Sequence, residues 1–187
     1  MAIKIYIDQG HNPVSPNTGA VGNGLREQDI TYRVGQELAA LLRANGNFEV
    51  RLSRPTPETQ LGTSNASSLA VRAQDANAWG ADYFISIHTN AAESPAATGS
   101  EQLVYRTRGV AYDLALSIAA QMANTTGLRN RGVIARPGLY VLRRTAMPAV
   151  LSEIGFITNP GDAALMDTRP DLFAQGIYRG LLDYLNL

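Results

Sequence analysis

The chain has 187 residues with 16 basic and 16 acidic side chains, two histidines and no cysteine. That length suits one domain with a single sizeable core. A formal net charge of zero and a charged fraction of 17% give no basic field for nucleic acid or an anionic membrane. Without thiols, any metal must be held by imidazole and carboxylate.

The opening "MAIKIYID" reads as a strand over 3–8 rather than as a charged segment leading into a long apolar one, so no secretory signal is visible. No run approaches membrane-spanning length. Ile30, Val34, Leu38, Leu41 and Leu42 recur at helical spacing until Asn45-Gly46 ends the segment. "FEVRLS" (48–53) is a second strand, followed by a turn-rich stretch from Arg54 to Asn65 and a helix from about Ser67 to Trp79, closed by Gly80. "YFISIH" (83–88) is almost wholly apolar, as expected of a strand covered on both faces of a parallel sheet. Then come "EQLVY" (101–105), a helix presenting Leu114, Ile118 and Met122, the apolar runs "LYVL" (139–142) and "AVLSEI" (149–154), and a last helix opened by Pro170. The alternation predicts a single α/β domain over 1–187: a twisted, mostly parallel sheet of about six strands flanked by helices. "GAVGNG" (19–24) has the wrong glycine order for a dinucleotide site and reads as a flexible loop; no P-loop, HExxH or nucleophile elbow is present.

Ligands of open α/β sheets lie beyond the carboxyl ends of the strands. His11, in "IDQGHNP", and His88, in "FISIHTN", both stand where an apolar run stops, as does Glu153 in "AVLSEI". Glu27, in "GLREQDI", follows a loop rich in Gly, Pro and Asn that is able to fold back. Two imidazoles and a carboxylate are a known zinc set that leaves a fourth position for water, and a further carboxylate can move the water's proton. Spacing alone leaves other readings open: a packed or capping histidine, Glu27 favoured by the helix dipole, or Glu153 paired with Arg143.

The residues around all four positions resemble the zinc-dependent N-acetylmuramoyl-L-alanine amidases. "IDQGH" with "TGAVGNGLREQDI", then "LAVRAQDANAWGADYFISIHTNA", then "LYVLRRTAMPAVLSEIGFITNPGD" match the family's three motifs in order. The resemblance implies that 1–187 is a zinc amidase catalytic domain, with Zn2+ on His11, Glu27 and His88 and with Glu153 as base and then acid. The expected reaction is hydrolysis of the amide between N-acetylmuramic acid and L-alanine in peptidoglycan. Where many members carry a second glycine, this chain has Asn12-Pro13. Only "AAESPAATGS" separates His88-Thr89-Asn90 from the next strand, which leaves no room for the occluding helix of cell-division members and implies activity without an activator. The expected setting is the bacterial wall, outside the cytoplasm and by an unassigned export route, for a monomer whose partner is peptidoglycan. A separate cell-wall-binding module, common in the family, is left to a longer parent chain or a partner. Two alternatives stand: a zinc peptidase cutting elsewhere in the stem peptide, and a catalytically silent wall-binding module. Asp8 and Asn90 are near the histidines in sequence, with Asn90 read as a loop cap; Arg72 and Arg131 are candidates for substrate carboxylates, with surface solvation the favoured reading for both.

Overall fold

The computed structural model describes residues 2–187. Its main sheet has six strands in the order β4-β1-β5-β8-β6-β7. These are β1 (Ile3–Gln9), β4 (Phe48–Leu52), β5 (Tyr83–Asn90), β6 (Ser100–Val104), β7 (Asn130–Ala135) and β8 (Ala149–Phe156). All pairings are parallel except β6 with β8. The expected α/β architecture with a mostly parallel six-stranded sheet is therefore observed.

Side chains alternate across the strands, and the two faces bury different helices. Ile5, Ile7, Ile85, Ile87 and Val150 join the larger core with residues of α1 (Glu27–Asn45), α3 (Val110–Thr126) and α6 (Pro170–Leu185). Tyr6, Phe84 and Leu151 face the smaller core, with Ala76 of α2 (Asn65–Trp79) and Val141 and Leu142 of α4 (Tyr140–Arg144). By the same alternation Asp8, His88 and Glu153 project on the α2 side, at the carboxyl ends of three adjacent strands. On the opposite face α3 and α6 approach closely at Gly180, where an added Cβ would lie 2.5 Å from Ile118 Cα. Among the described residues, no helix is long and apolar enough to cross a membrane.

Three elements differ from the sequence expectation. "LYVL" is not a strand: its residues begin α4, and Val141 and Leu142 insert into the smaller core. A four-residue apolar run does not distinguish strand from buried helix. The sixth strand is instead β7, an edge strand whose Asn130, Arg131 and Gly132 hide it from an apolar scan. The loop at 19–24 is ordered as a hairpin of β2 (Val21–Gly22) and β3 (Leu25–Arg26). Its turn residues Asn23 and Gly24 both have positive φ, 51° and 79°, as a type I′ turn requires. Asn23 Nδ2 donates to the Ile157 carbonyl at 2.8 Å, docking the hairpin beside the end of β8. A further helix, α5 (Pro160–Thr168), is capped by the Asn159 side chain, which accepts from the Gly161 and Asp162 amides.

Candidate metal centre

Glu27 is the first residue of α1, and the hairpin before it turns its carboxylate back onto the ends of β1 and β5. Oε1 lies 3.1 Å from both His11 Nε2 and His88 Nδ1. The carboxylate is also held by main-chain amides: Thr89 N–H donates to Oε1 at 2.9 Å and Ala20 N–H to Oε2 at 2.8 Å. Burial alone would raise the Glu27 carboxyl, but hydrogen bonds to His11 and His88 and the charges of those rings hold it well below the usual carboxylate range. Burial works against the charged form of His88, and Glu27 overrides it, raising that imidazole. The side chains of His11 and His88 keep 20% and 18% of their surface exposed against 5% for Glu27, so the imidazoles face solvent over a buried anion.

Two glycines leave the space for this convergence. A Cβ on Gly10 would fall 2.5 Å from His88 Cε1, and one on Gly19 would fall 2.6 Å from Glu27 Oε2 and 2.8 Å from His11 Cδ2. His11 itself has φ 67°, a left-handed conformation that costs an L-residue about 1–2 kcal/mol. The surrounding backbone is gripped accordingly. The Gly10 carbonyl accepts from Thr31 Oγ1 at 2.7 Å, and Asn12 N–H donates to the Asn17 carbonyl at 2.8 Å. The Asn12 side chain, fully buried, donates to Pro16 O and Leu61 O and accepts from Leu61 N–H. The Asn12-Pro13 step thus closes the loop through a buried amide.

Arg72 is not a surface residue, nor is it open to substrate carboxylates. It is 1% exposed and pairs with the equally buried Asp8 at 2.6 Å. Burial would raise the Asp8 carboxyl; Arg72 and the Ser86 hydroxyl, which donates at 2.7 Å, hold it below its ordinary value. Arg54, also buried, donates to Gln28 O at 3.0 Å; burial and the charge of Arg72 pull its guanidinium down to about 10. Neither buried arginine is signalled by residue type alone, since arginine is ordinarily exposed. Arg131 pairs with Glu101 at 3.0 Å, and Asn90 Nδ2 donates to the other oxygen of that carboxylate at 3.0 Å. The Asn90 side-chain oxygen accepts from Ala91 N–H, in keeping with the loop-cap reading.

Glu153 is the register partner of His88 across β5 and β8, and of Glu101 across β6. It forms no ion pair with Arg143, and its Oε2 is a buried oxygen with no hydrogen-bond partner. Burial, opposed by His88 and reinforced by the charges of Glu27 and Glu101, pushes its carboxyl up to about 7. A carboxyl poised there is suited to taking and returning a proton near neutrality.

The donor set fits a small divalent ion. His11, Glu27 and His88 each offer a ligand atom, all within 4.8 Å of one another. Tetrahedral zinc with ligand bonds of about 2.0–2.2 Å places its ligand atoms roughly 3.3–3.6 Å apart, close to the 3.1 Å separations from Glu27. The small cavity beside the histidines, about 100 Å³, is otherwise lined by groups including Leu69, Leu139, Val141 and Leu151.

Residues 5–183 match the family described as N-acetylmuramoyl-L-alanine amidase. The chain belongs to that family. Among the relatives of this amidase-family chain, the N-acetylmuramoyl-L-alanine amidase CwlM of Bacillus licheniformis is 38% identical over 95% of the chain and 65% of its own length. LytC of Bacillus subtilis is 35% identical over 96% of the chain and 35% of its own length. The chain therefore spans less than two thirds of the length of these relatives. Among solved structures, the N-acetylmuramoyl-L-alanine amidase from Clostridium difficile 630 superposes with a TM-score of 0.87 at 31% identity, covering 99% of this chain and 97% of that one. The catalytic domain of CwlV from Bacillus (Paenibacillus) polymyxa gives 0.86 at 30% identity, covering 98% of each.

Proposed function

We propose that residues 1–187 form a zinc-dependent N-acetylmuramoyl-L-alanine amidase domain that hydrolyses the amide joining N-acetylmuramic acid to L-alanine in peptidoglycan. The observation that carries the reading is the convergence of His11 Nε2 and His88 Nδ1 on one Glu27 oxygen, with the raised carboxyl of Glu153 on the strand adjacent to His88. The CwlM, LytC and CwlV relatives are named N-acetylmuramoyl-L-alanine amidases, which supports this bond as the target.

His11, Glu27 and His88 would hold the ion. Zinc bound there supplies a Lewis acid for the amide carbonyl and lowers the pKa of coordinated water to about 7. The chain's own groups do the rest. Glu27 stays ionised because two amides and two imidazoles favour its anion, so the ligand set carries a fixed negative charge. Glu153, ionised above about 7, accepts a proton from attacking water through its carboxylate and returns it to the alanine nitrogen as that amide bond breaks. One carboxylate thus serves as base and then acid.

On this reading the domain acts as a monomer on the wall, outside the cytoplasm; activity without an activator is supported by residues 91–99, which form only a short connection between β5 and β6. Digestion of purified peptidoglycan with and without chelator, followed by amino-terminal identification of the released peptides, tests the assignment. New L-alanine termini, lost with chelator, are expected. A different terminal residue would make the domain a stem-peptide peptidase, and no release with zinc present would make it a silent binding module.

A further inference from the structure

Arg72 is held in a way that a simple buried ion pair does not need. Its Nη1 donates to Asp8 Oδ1 and to the Gln9 carbonyl, both at 2.6 Å. Its Nη2 turns away from Asp8, donating to the His11 carbonyl at 2.6 Å and to Asn12 Oδ1 at 3.3 Å. Neutralising Asp8 requires one nitrogen; the second is spent on the residue whose φ is 67°. Arg54 reaches the same carbonyl only at 3.5 Å, so the short bond to His11 is Arg72's alone.

We propose that Arg72 is a positioning residue for the metal centre: its guanidinium locks the Gln9 and His11 carbonyls and so fixes where the His11 imidazole meets Glu27 and His88. The inference rests on the metal-site reading above. The planar fork is essential to it, since two nitrogens at fixed separation reach the Asp8 and Asn12 side chains and the Gln9 and His11 carbonyls from one buried point. Lysine keeps the charge opposite Asp8 but presents a single nitrogen. Released from Arg72, the His11 peptide relaxes toward negative φ, which is less strained, and carries the ring off the shared Glu27 oxygen.

The test is zinc binding by the metal-free full chain, measured in competition with a chromophoric chelator, for wild type, Arg72→Lys and His11→Ala, with circular dichroism to confirm folding. Arg72→Lys is expected to fold and to bind zinc about 10–100-fold more weakly, the range typical when an orienting partner of a metal ligand is lost. A folded Arg72→Lys with wild-type zinc affinity, alongside weakened binding in His11→Ala, overturns the inference and leaves the metal-site reading intact. Wild-type binding that His11→Ala does not weaken overturns both. If the lysine variant fails to fold, the wild-type protein decides: on zinc titration by NMR, the Arg72 guanidinium signals are expected to shift in step with the His11 ring. An Arg72 signal that stays fixed while the His11 ring responds rejects the coupling.

Discussion

Glu153 and His88 are register partners on adjacent parallel strands, so one rung of the sheet joins the proposed proton carrier to a proposed metal ligand. Backbone hydrogen bonds on both sides of β8 set their separation. Glu153→Gln keeps the shape and removes the titrating oxygen. Turnover on peptidoglycan should fall about 10²–10⁴-fold, the usual contribution of a positioned acid-base group, with zinc affinity retained. A variant with near-normal turnover would remove Glu153 from the mechanism.

The metal-free protein should lose stability as pH rises from about 4.5 to 7. The folded-state value of Glu153, about 7, lies above its ordinary 4.5. The native state therefore binds that proton more tightly than the unfolded chain, and the resulting stability is present at low pH and lost on ionisation. Glu27 acts with the opposite sign, its contribution being lost only as pH falls below the ordinary carboxylate range. Urea unfolding at a series of pH values should show the decline in wild type and a flatter profile in Glu153→Gln; parallel profiles would contradict the assignment.

Gly10→Ala should damage the site from beneath. The added methyl would stand 2.5 Å from His88 Cε1 and 2.6 Å from the Ile87 carbonyl, so the ring or the β5 backbone must move. A stability loss of about 1–3 kcal/mol is expected for such overpacking, together with weaker zinc binding. Calorimetry and chelator competition on the same preparation measure both effects, and unchanged zinc affinity would show that the ring has room to spare.

Zinc removal should lower the unfolding temperature reversibly. An ion that binds only the native state at about 100 times its dissociation constant contributes roughly 2.7 kcal/mol. Thermal scans before chelation, after it and after zinc readdition check this, and equal midpoints would argue against a native-state site at His11, Glu27 and His88.

Gly180→Ala provides a remote comparison. Its methyl would strike Ile118 Cα at the α3–α6 contact, so stability should fall by about 1–3 kcal/mol while turnover per folded molecule at low temperature stays near wild type. A selective fall in turnover would reveal coupling between that helix pair and the metal centre.

The legible parts of the chain were those where one physical signal dominates. The buried run at 83–88 reports a central strand because both its faces are covered, and the periodic apolar stripe after Ile30 reports α1. His11, His88 and Glu153 are legible as strand-end polar residues, and the motifs around them link Glu27 to the same set. The edge strand β7 lacks an apolar run, and "LYVL" is too short to reveal its helical period. The inward turn of Arg72 was hidden for a different reason. Its partners Asp8, Gln9 and His11 are 61 to 64 positions away, and only the assembled sheet brings them under α2. In "NPGD", by contrast, the Asn-Pro start of α5 was available as a capping signal.

The lasso between Asn12 and Asn17 offers a practical opening. Its ends are tied by a backbone bond and by the interior amide of Asn12, while Val14 at its crest is 60% exposed. Residues 13–15 are consequently a place to graft recognition sequences, while the bonds from Asn12 to Pro16, Asn17 and Leu61 hold the base of the loop beside His11.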